Sequence, residues 1–250
     1  MTGAARIVVV GATSAIAERC ARLWAERGAE SLTLVGRDAE RLQRVADDLR
    51  VRAPAADIQV DTCDALDTAA ISGLVERIAA RGRTDIALIA HGMLPEQQDC
   101  QRDLALCKAT LDINAVSPAL FAETFAGVFA AQGAGTLAIV GSVAGDRGRK
   151  TNYVYGAAKG LVERYAQGLR HRFHGTGVRV VLIKPGPTAT PMTAHLQAKG
   201  AKLASPEDVA AIIVRAIDNG TATVYAPGRW QLIMLVIRHL PAMVFNRLNI

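Results

Sequence analysis

Arg6-Ile7-Val8-Val9-Val10-Gly11-Ala12-Thr13-Ser14-Ala15-Ile16-Ala17 decides the architecture of this chain: a β-branched run breaks at a glycine, and a helical pattern follows from Glu18 towards Gly28. Four consecutive apolar residues suit a strand covered on both faces, as in a parallel sheet. A strand, a tight turn and a helix N-terminus gather backbone N–H groups and the positive end of a helix dipole, which together receive a pyrophosphate. Small residues at Ala15 and Ala17 let backbone and helix approach closely. Gly11 is the turn's one glycine, and an ordinary strand-to-helix turn shares the local pattern. The rest of the chain must carry the assignment.

Six further short runs follow: Ser31 to Val35, Asp57 to Val60, Ile86 to Ala90, Thr136 to Val140, Val178 to Ile183 and Thr223 to Tyr225. Longer helical stretches separate them and can supply right-handed crossovers, so the pattern predicts an α/β chain built on a seven-stranded, doubly wound parallel sheet. One domain over 1–250 is expected, since α/β folds of this size often keep a single core. Ser205-Pro206-Glu207-Asp208 reads as a helix start, with Ser as N-cap and Pro at the first helical position. The stretch from Lys184 to Ala204 holds three prolines and two glycines after a strand end. Open α/β sheets bind ligands at that end, so a substrate lid over about 187–204 is expected.

Half of the residues are hydrophobic and only 4% are aromatic, which leaves packing to Ala, Val, Leu and Gly. The formal charge is +6, with a pI near 9.4. The basic residues are dispersed, without a long run, zinc spacing or an aromatic-studded basic strand, so an anionic cofactor or substrate is expected rather than nucleic acid. No metal site is expected. Cys20, Cys63, Cys100 and Cys107 lack C-x-x-C spacing and read as reduced thiols of a cytoplasmic protein. The N-terminus lacks the pattern of a signal peptide.

Gly36-Arg37-Asp38 closes the second strand. An acid there favours a free ribose 2′-hydroxyl, whereas a guanidinium pairs a 2′-phosphate in charge-assisted geometry. Arg37 therefore points to NADP(H), while Asp38 could cap the next helix or pair with Arg37.

Tyr155-Gly156-Ala157-Ala158-Lys159 opens a helical stretch, and the four-residue spacing puts both side chains on one face. By chance alone this composition yields such a pair about 0.1 times. Ser142 lies thirteen residues upstream after a strand, and Asn114 is polar within an apolar helical pattern, which implies an interior hydrogen-bonding duty. A ketone accepting hydride develops negative charge on oxygen, and Ser142 and Tyr155 can supply the donors and the proton. An ammonium beside Tyr155 is expected to bring the phenol down by about two to three pKa units, towards the operating pH.

Gly11 to Ala17, Ala90-His91-Gly92, Asn114, Ser142, Tyr155 with Lys159, and Pro185-Gly186 together resemble the short-chain dehydrogenase/reductase family over nearly the whole chain. The resemblance implies a Rossmann fold, with Asn114, Ser142, Tyr155 and Lys159 matching the catalytic tetrad. It places the turn residues Gly11, Thr13, Ser14, Ala15 and Ile16 at the cofactor, Asp61 near the adenine, and Ala90 and Gly92 along the cofactor. Pro185, Gly186, Thr188 and Thr190 would flank the nicotinamide. Lys159 would also hold the nicotinamide ribose, and Asn114 would order a water leading from Lys159 to solvent. A homodimer or homotetramer is implied as well. His91 departs from the family's usual run and reads as a packed residue rather than a catalytic one.

Gly145 to Tyr155, Pro191 to Leu196 and the end from Tyr225 resemble, more narrowly, members that reduce a 2-keto pentose carried on a polyprenyl phosphate, which would work with a partner oxidase. Arg147, Arg149 and Lys150 could meet the substrate phosphate, or form a solvated loop. A soluble ketone, alcohol or acyl substrate is the rival expectation, and a non-catalytic NADP-binding scaffold is a third. The apolar C-terminal segment over about 229–250 is too short to span a bilayer, for which about 20 apolar residues are needed. It reads as a subunit interface, a pocket wall, or a peripheral contact with the inner face of the cell membrane.

Overall fold

A computed structural model describes residues 5–194, 198 and 200–248. Seven strands form one sheet: β1 (Arg6–Val10), β2 (Ser31–Gly36), β3 (Asp57–Thr62), β4 (Ile86–Ile89), β5 (Ala134–Val140), β6 (Gly177–Pro185) and β7 (Thr223–Ala226). Their order is β3-β2-β1-β4-β5-β6-β7, and every pairing is parallel. The chain winds outward from β1 through β2 to β3, then returns to β4 and winds the other way. That reversal opens a crevice between the carboxyl ends of β1 and β4, where doubly wound sheets bind ligands.

One face of the sheet is covered by α1 (Ala15–Glu26), α2 (Ala39–Arg52) and α8 (Pro206–Asp218). The other is covered by α3 (Thr68–Ala80), α6 (Ser117–Gln132) and α7 (Tyr153–Arg172). Two apolar cores result, so the inner strands are apolar on both faces, as the Ile7 to Val10 run requires. Small aliphatic residues fill most of this volume. Phe121, Phe125 and Phe129, four residues apart on α6, form an aromatic ridge that is fully buried. The helical run Leu104–Gln132 is apolar and long enough to span a bilayer, but those phenylalanines bury its face against the sheet.

Two short helices, α4 (Gln97–Arg102) and α5 (Leu104–Leu111), lead from β4 towards α6. Ser205 caps α8 through a hydrogen bond from Asp208 N (3.0 Å), with Pro206 at the first position. Beyond β7 lie α9 (Arg229–His239) and α10 (Ala242–Phe245).

Candidate active site

At the crevice, Gly11 has φ +80°, and a Cβ there would sit 2.6 Å from His91 N. Only glycine permits β1 to turn this close to the segment after β4. Ser14 is the N-cap of α1, but its side chain makes no capping bond, so the first-turn N–H groups of the helix stay available. A Cβ on Gly92 would meet Asn114 Oδ1 at 2.6 Å and Lys159 Nζ at 3.8 Å. Bare backbone at both glycines and a helix N-terminus with free donors fit a dinucleotide laid across the switch point.

Arg37 follows β2, is exposed, and makes no hydrogen bond or ion pair among the described residues. Asp38 caps α2 by accepting from Arg41 N (3.0 Å), which leaves the Arg37 guanidinium without a neighbouring competitor. Asp61 requires a correction. It lies within β3, and Arg81 grips its carboxylate through both guanidinium nitrogens (2.5 and 3.0 Å), so that group is not presented to an adenine. Asp64, beyond the strand end, is the exposed acid at the crevice side of β3.

Pro185 ends β6, and Gly186 N donates to Ala226 O (2.9 Å). Trp230, at the start of α9, packs against Gly186, where a Cβ would fall 1.9 Å from its Nε1. Buried Thr188 donates to Gly186 O (2.9 Å), and Thr190 is tied through Thr193. Ala189 N bonds to Ala204 O (2.8 Å) and Ala204 N to Pro187 O (3.0 Å), which cinches the base of the 187–204 segment expected to be a lid. Residues 195–197 and 199 of that segment, and hence His195 and Leu196, lie outside the described residues.

Asn114 sits at the centre of a π-helical turn, Asp112–Val116, between α5 and α6. Such widened turns recur at functional sites. Its amide is fully buried, donates to Met93 O and Thr110 O (2.9 Å each), and accepts from Met93 N (3.1 Å). It thus locks the segment after Gly92. Ser142, two residues beyond the end of β5, accepts from Ala144 N (3.1 Å), and its hydroxyl pulls the Tyr155 phenol down. Lys159 Nζ donates to Val140 O (3.0 Å) and stands 5.7 Å from the centroid of the Tyr155 ring. Side chains from β5, α7 and the π turn therefore converge at one end of the sheet.

The electrostatics depart from expectation. Burial pushes the Tyr155 phenol up, against a smaller downward pull from Ser142, so the anticipated downward shift does not arise. The ammonium carries its own burden instead: Lys159 is only 3% exposed, has no carboxylate partner among the described residues, and is pushed down by burial to about 8. At neutral pH Tyr155 is a protonated phenol, the form a proton donor needs.

His91 is pushed down to about 3 by burial and the nearby Lys159 charge, and is neutral. Its Nε2 meets Ser117 Oγ (2.8 Å), and its ring meets Phe121 edge-on, which is the packed role expected. The other tyrosines have partners elsewhere: Tyr165 donates to Glu123, Tyr225 to Asp146, and Tyr153 accepts from Gln101.

The chain matches the family model described as short chain dehydrogenase over residues 5–201. It belongs to that family. The short-chain dehydrogenase is 34% identical over 248 residues to an uncharacterized oxidoreductase of Mycobacterium tuberculosis, covering 99% of this chain and 98% of the relative. It is 33% identical over 245 residues to an uncharacterized oxidoreductase of Streptomyces coelicolor, covering 97% and 95%. A Burkholderia cenocepacia short chain dehydrogenase solved with NADP superposes with a TM-score of 0.85 at 17% identity, covering 100% of this chain and 99% of the other. One from Sphingobium yanoikuyae, solved with NADPH, gives 0.81 at 22%, covering 95% and 97%. These structures share the Rossmann-like fold, and the family makes the chain an oxidoreductase.

The basic loop of this dehydrogenase divides its labour. Arg147 is a structural clamp: its Nη1 donates to the carbonyls of Ile237 and Leu240 (2.6 Å each) at the C-terminal end of α9, and it stacks on Phe245 at 3.8 Å. Its guanidinium is thereby committed to the tail, which is neither the phosphate contact nor the solvated loop left open by the sequence. Asp146 anchors the same loop to the sheet through Lys184 (2.5 Å), which Glu163 also pairs (2.8 Å). Burial pulls the Lys184 ammonium down, but the two carboxylates outweigh it and its pKa is raised. Arg149 is partly buried, its Nε has no hydrogen-bond partner among the described residues, and burial lowers its pKa against Asp146. Lys150 is exposed.

The tail is docked at both ends, by Trp230 on Gly186 and by Arg147 on α9, yet it presents an apolar outer face. Leu232 is 70% exposed and Met243 73%, with Leu235, Val236 and Val244 beside them. Arg229, Arg238 and Arg247 flank these residues, and no acid occurs after Asp218.

Proposed function

We propose that this short-chain dehydrogenase is an NADPH-dependent ketoreductase whose substrate is the 2-keto group of a pentose linked to a polyprenyl phosphate. One observation carries the catalytic part: Lys159 is buried without a counter-ion among the described residues, beside a protonated Tyr155. A cost of that kind is kept where the group has a task. The hydride is the chemistry that a bound reduced nicotinamide supplies. Tyr155 delivers the proton to the developing alkoxide, Ser142 offers a second donor, and Lys159 holds positive charge beneath both while gripping ribose hydroxyls. Asn114 keeps the Gly92 segment clear for the cofactor and orders water behind Lys159. Arg37, without a partner among the described residues at the end of β2, takes the 2′-phosphate and selects NADPH over NADH.

The substrate assignment rests on Arg149, whose unpartnered Nε near the start of α7 suits an anionic group, and on the apolar tail beside the site mouth. In this reading the enzyme works as a homodimer or homotetramer in the cytoplasm, touches the inner face of the cell membrane through α9 and α10, and receives its ketone from a partner oxidase. NADPH oxidation with a panel of ketones that includes a polyprenyl-phosphoryl 2-keto pentose tests it. Turnover of the lipid-linked ketone, abolished in Tyr155→Phe with NADPH binding intact, is expected. Turnover confined to soluble ketones overturns the substrate assignment, and residual activity in Tyr155→Phe overturns the mechanism.

A further inference from the structure

The N-terminus of α7 is capped from an unusual direction. Asn152 is its N-cap, a position where an asparagine oxygen ordinarily accepts from the second or third N–H of the helix. Its side chain makes no such bond. The second N–H, that of Val154, donates instead to Gln97 Oε1 (3.1 Å), which arrives from α4, 57 residues away in sequence. Gln101 of the same helix donates to the Tyr153 hydroxyl (3.2 Å), so α4 is held on α7 at two points.

This exchange leaves two buried atoms without hydrogen-bond partners among the described residues, the Gln97 Nε2 donor and the Asn152 Oδ1 acceptor. Gln97 is only 6% exposed. Native proteins seldom leave such groups unpaired, and each instance asks for a reason. The Gln97 cap satisfies one helix N–H but leaves both of these atoms unpaired among the described residues. Both residues adjoin the catalytic turn: Asn152 lies three residues before Tyr155, and Gln97 grips the residue just before it.

We propose that Gln97 Nε2 and Asn152 Oδ1 form a recognition pair for a hydroxyl group of the substrate, next to the carbonyl that Tyr155 protonates. A hydroxyl accepts one hydrogen bond and donates another, so it satisfies this pair where a plain ketone leaves both atoms unpaired. The pair selects hydroxyketones, and sugars among them. It rests on the reductase reading above but needs neither the lipid nor the phosphate.

The test compares kcat/KM for erythrulose and butanone, two four-carbon ketones that differ in hydroxylation, in wild type and three variants. Gln97→Glu keeps an oxygen for Val154 N and removes the donor; Asn152→Ala removes the acceptor; Asn152→Asp retains it. Wild type is expected to favour erythrulose. Gln97→Glu and Asn152→Ala should each cut that preference by about tenfold to a hundredfold with NADPH affinity unchanged, Gln97→Glu at a lowered Tm because its carboxylate is buried, and Asn152→Asp should keep most of it. Equal losses on both ketones, or undiminished preference in the variants, overturn the recognition pair. A wild type that reduces butanone as well as erythrulose refutes selection for a hydroxylated substrate, and one that binds NADPH yet reduces neither refutes the reductase reading itself.

Discussion

Lys159→Met is expected to make the cofactor-free protein more stable while destroying its activity. Burial holds the lysine's pKa at about 8, against an ordinary 10.5, and that difference is worth about 3 kcal/mol at neutral pH, where both folded and unfolded chains carry the charge. Methionine matches the length of the side chain and carries no charge to desolvate. Its cost is the lost donor to Val140 O, about 1 kcal/mol. The net gain of roughly 2 kcal/mol should raise Tm by about 4 to 8 °C in a chain of this size. Between pH 8 and 10.5 the unfolded chain binds a proton that the native state has released, so wild-type stability rises with pH there. The advantage of the variant is therefore full below pH 8 and disappears by about pH 10.5. Urea and thermal unfolding of both proteins from pH 7 to 10.5, with NADPH turnover measured alongside, provide the readout. Turnover should fall about a thousandfold or more. A variant less stable than wild type at pH 7, or a stability gap that does not narrow in alkali, would refute the claim that Lys159 is held at a cost.

Arg37→Ala should raise the KM for NADPH by about tenfold to a hundredfold and leave that for NADH nearly unchanged; similar effects on both would remove the 2′-phosphate contact. His91 titrates near 3 in the fold, below its ordinary 6.5, so stability is present above 6.5 and is lost as pH falls towards 3. Denaturation of His91→Asn should show a shallower loss across that window, and an unaltered acid limb would deny His91 its share. Leu232→Glu combined with Val236→Glu should abolish co-sedimentation with phosphatidylglycerol vesicles while leaving NADPH binding intact; retained binding would exclude the α9 face as a membrane contact.

The strands were legible because a parallel sheet covered on both faces demands continuous β-branched runs, and all seven fall within a few residues of their expected bounds. Tyr155, Lys159 and Ser142 were legible because helical spacing and a strand end place them. Asp61 misled because an acid near a strand end looks the same whether it faces a ligand or an arginine, and the Arg81 pairing is made across the sheet's flank. Arg147 stayed open between a phosphate contact and a solvated loop, since a basic residue in a loop does not announce that the carbonyls of α9 will claim it. Gln97 left no signal at all, because its partner is 57 residues away and its role exists only once α4 lies on α7.

What the chain's order of residues determined alone is local and periodic: strand, turn and helix, the four-residue step from Tyr155 to Lys159, the glycine at the first turn, and the arginine after β2. Tertiary structure decided everything that depends on burial and on contacts between distant segments. It raised Tyr155 where a neighbouring ammonium suggested lowering, because desolvation in the folded interior outweighs the downward pull of Ser142. It also took the cap of α7 from Asn152 and gave it to Gln97, leaving a donor and an acceptor near the start of the helix that carries Tyr155 which no spacing rule could reveal.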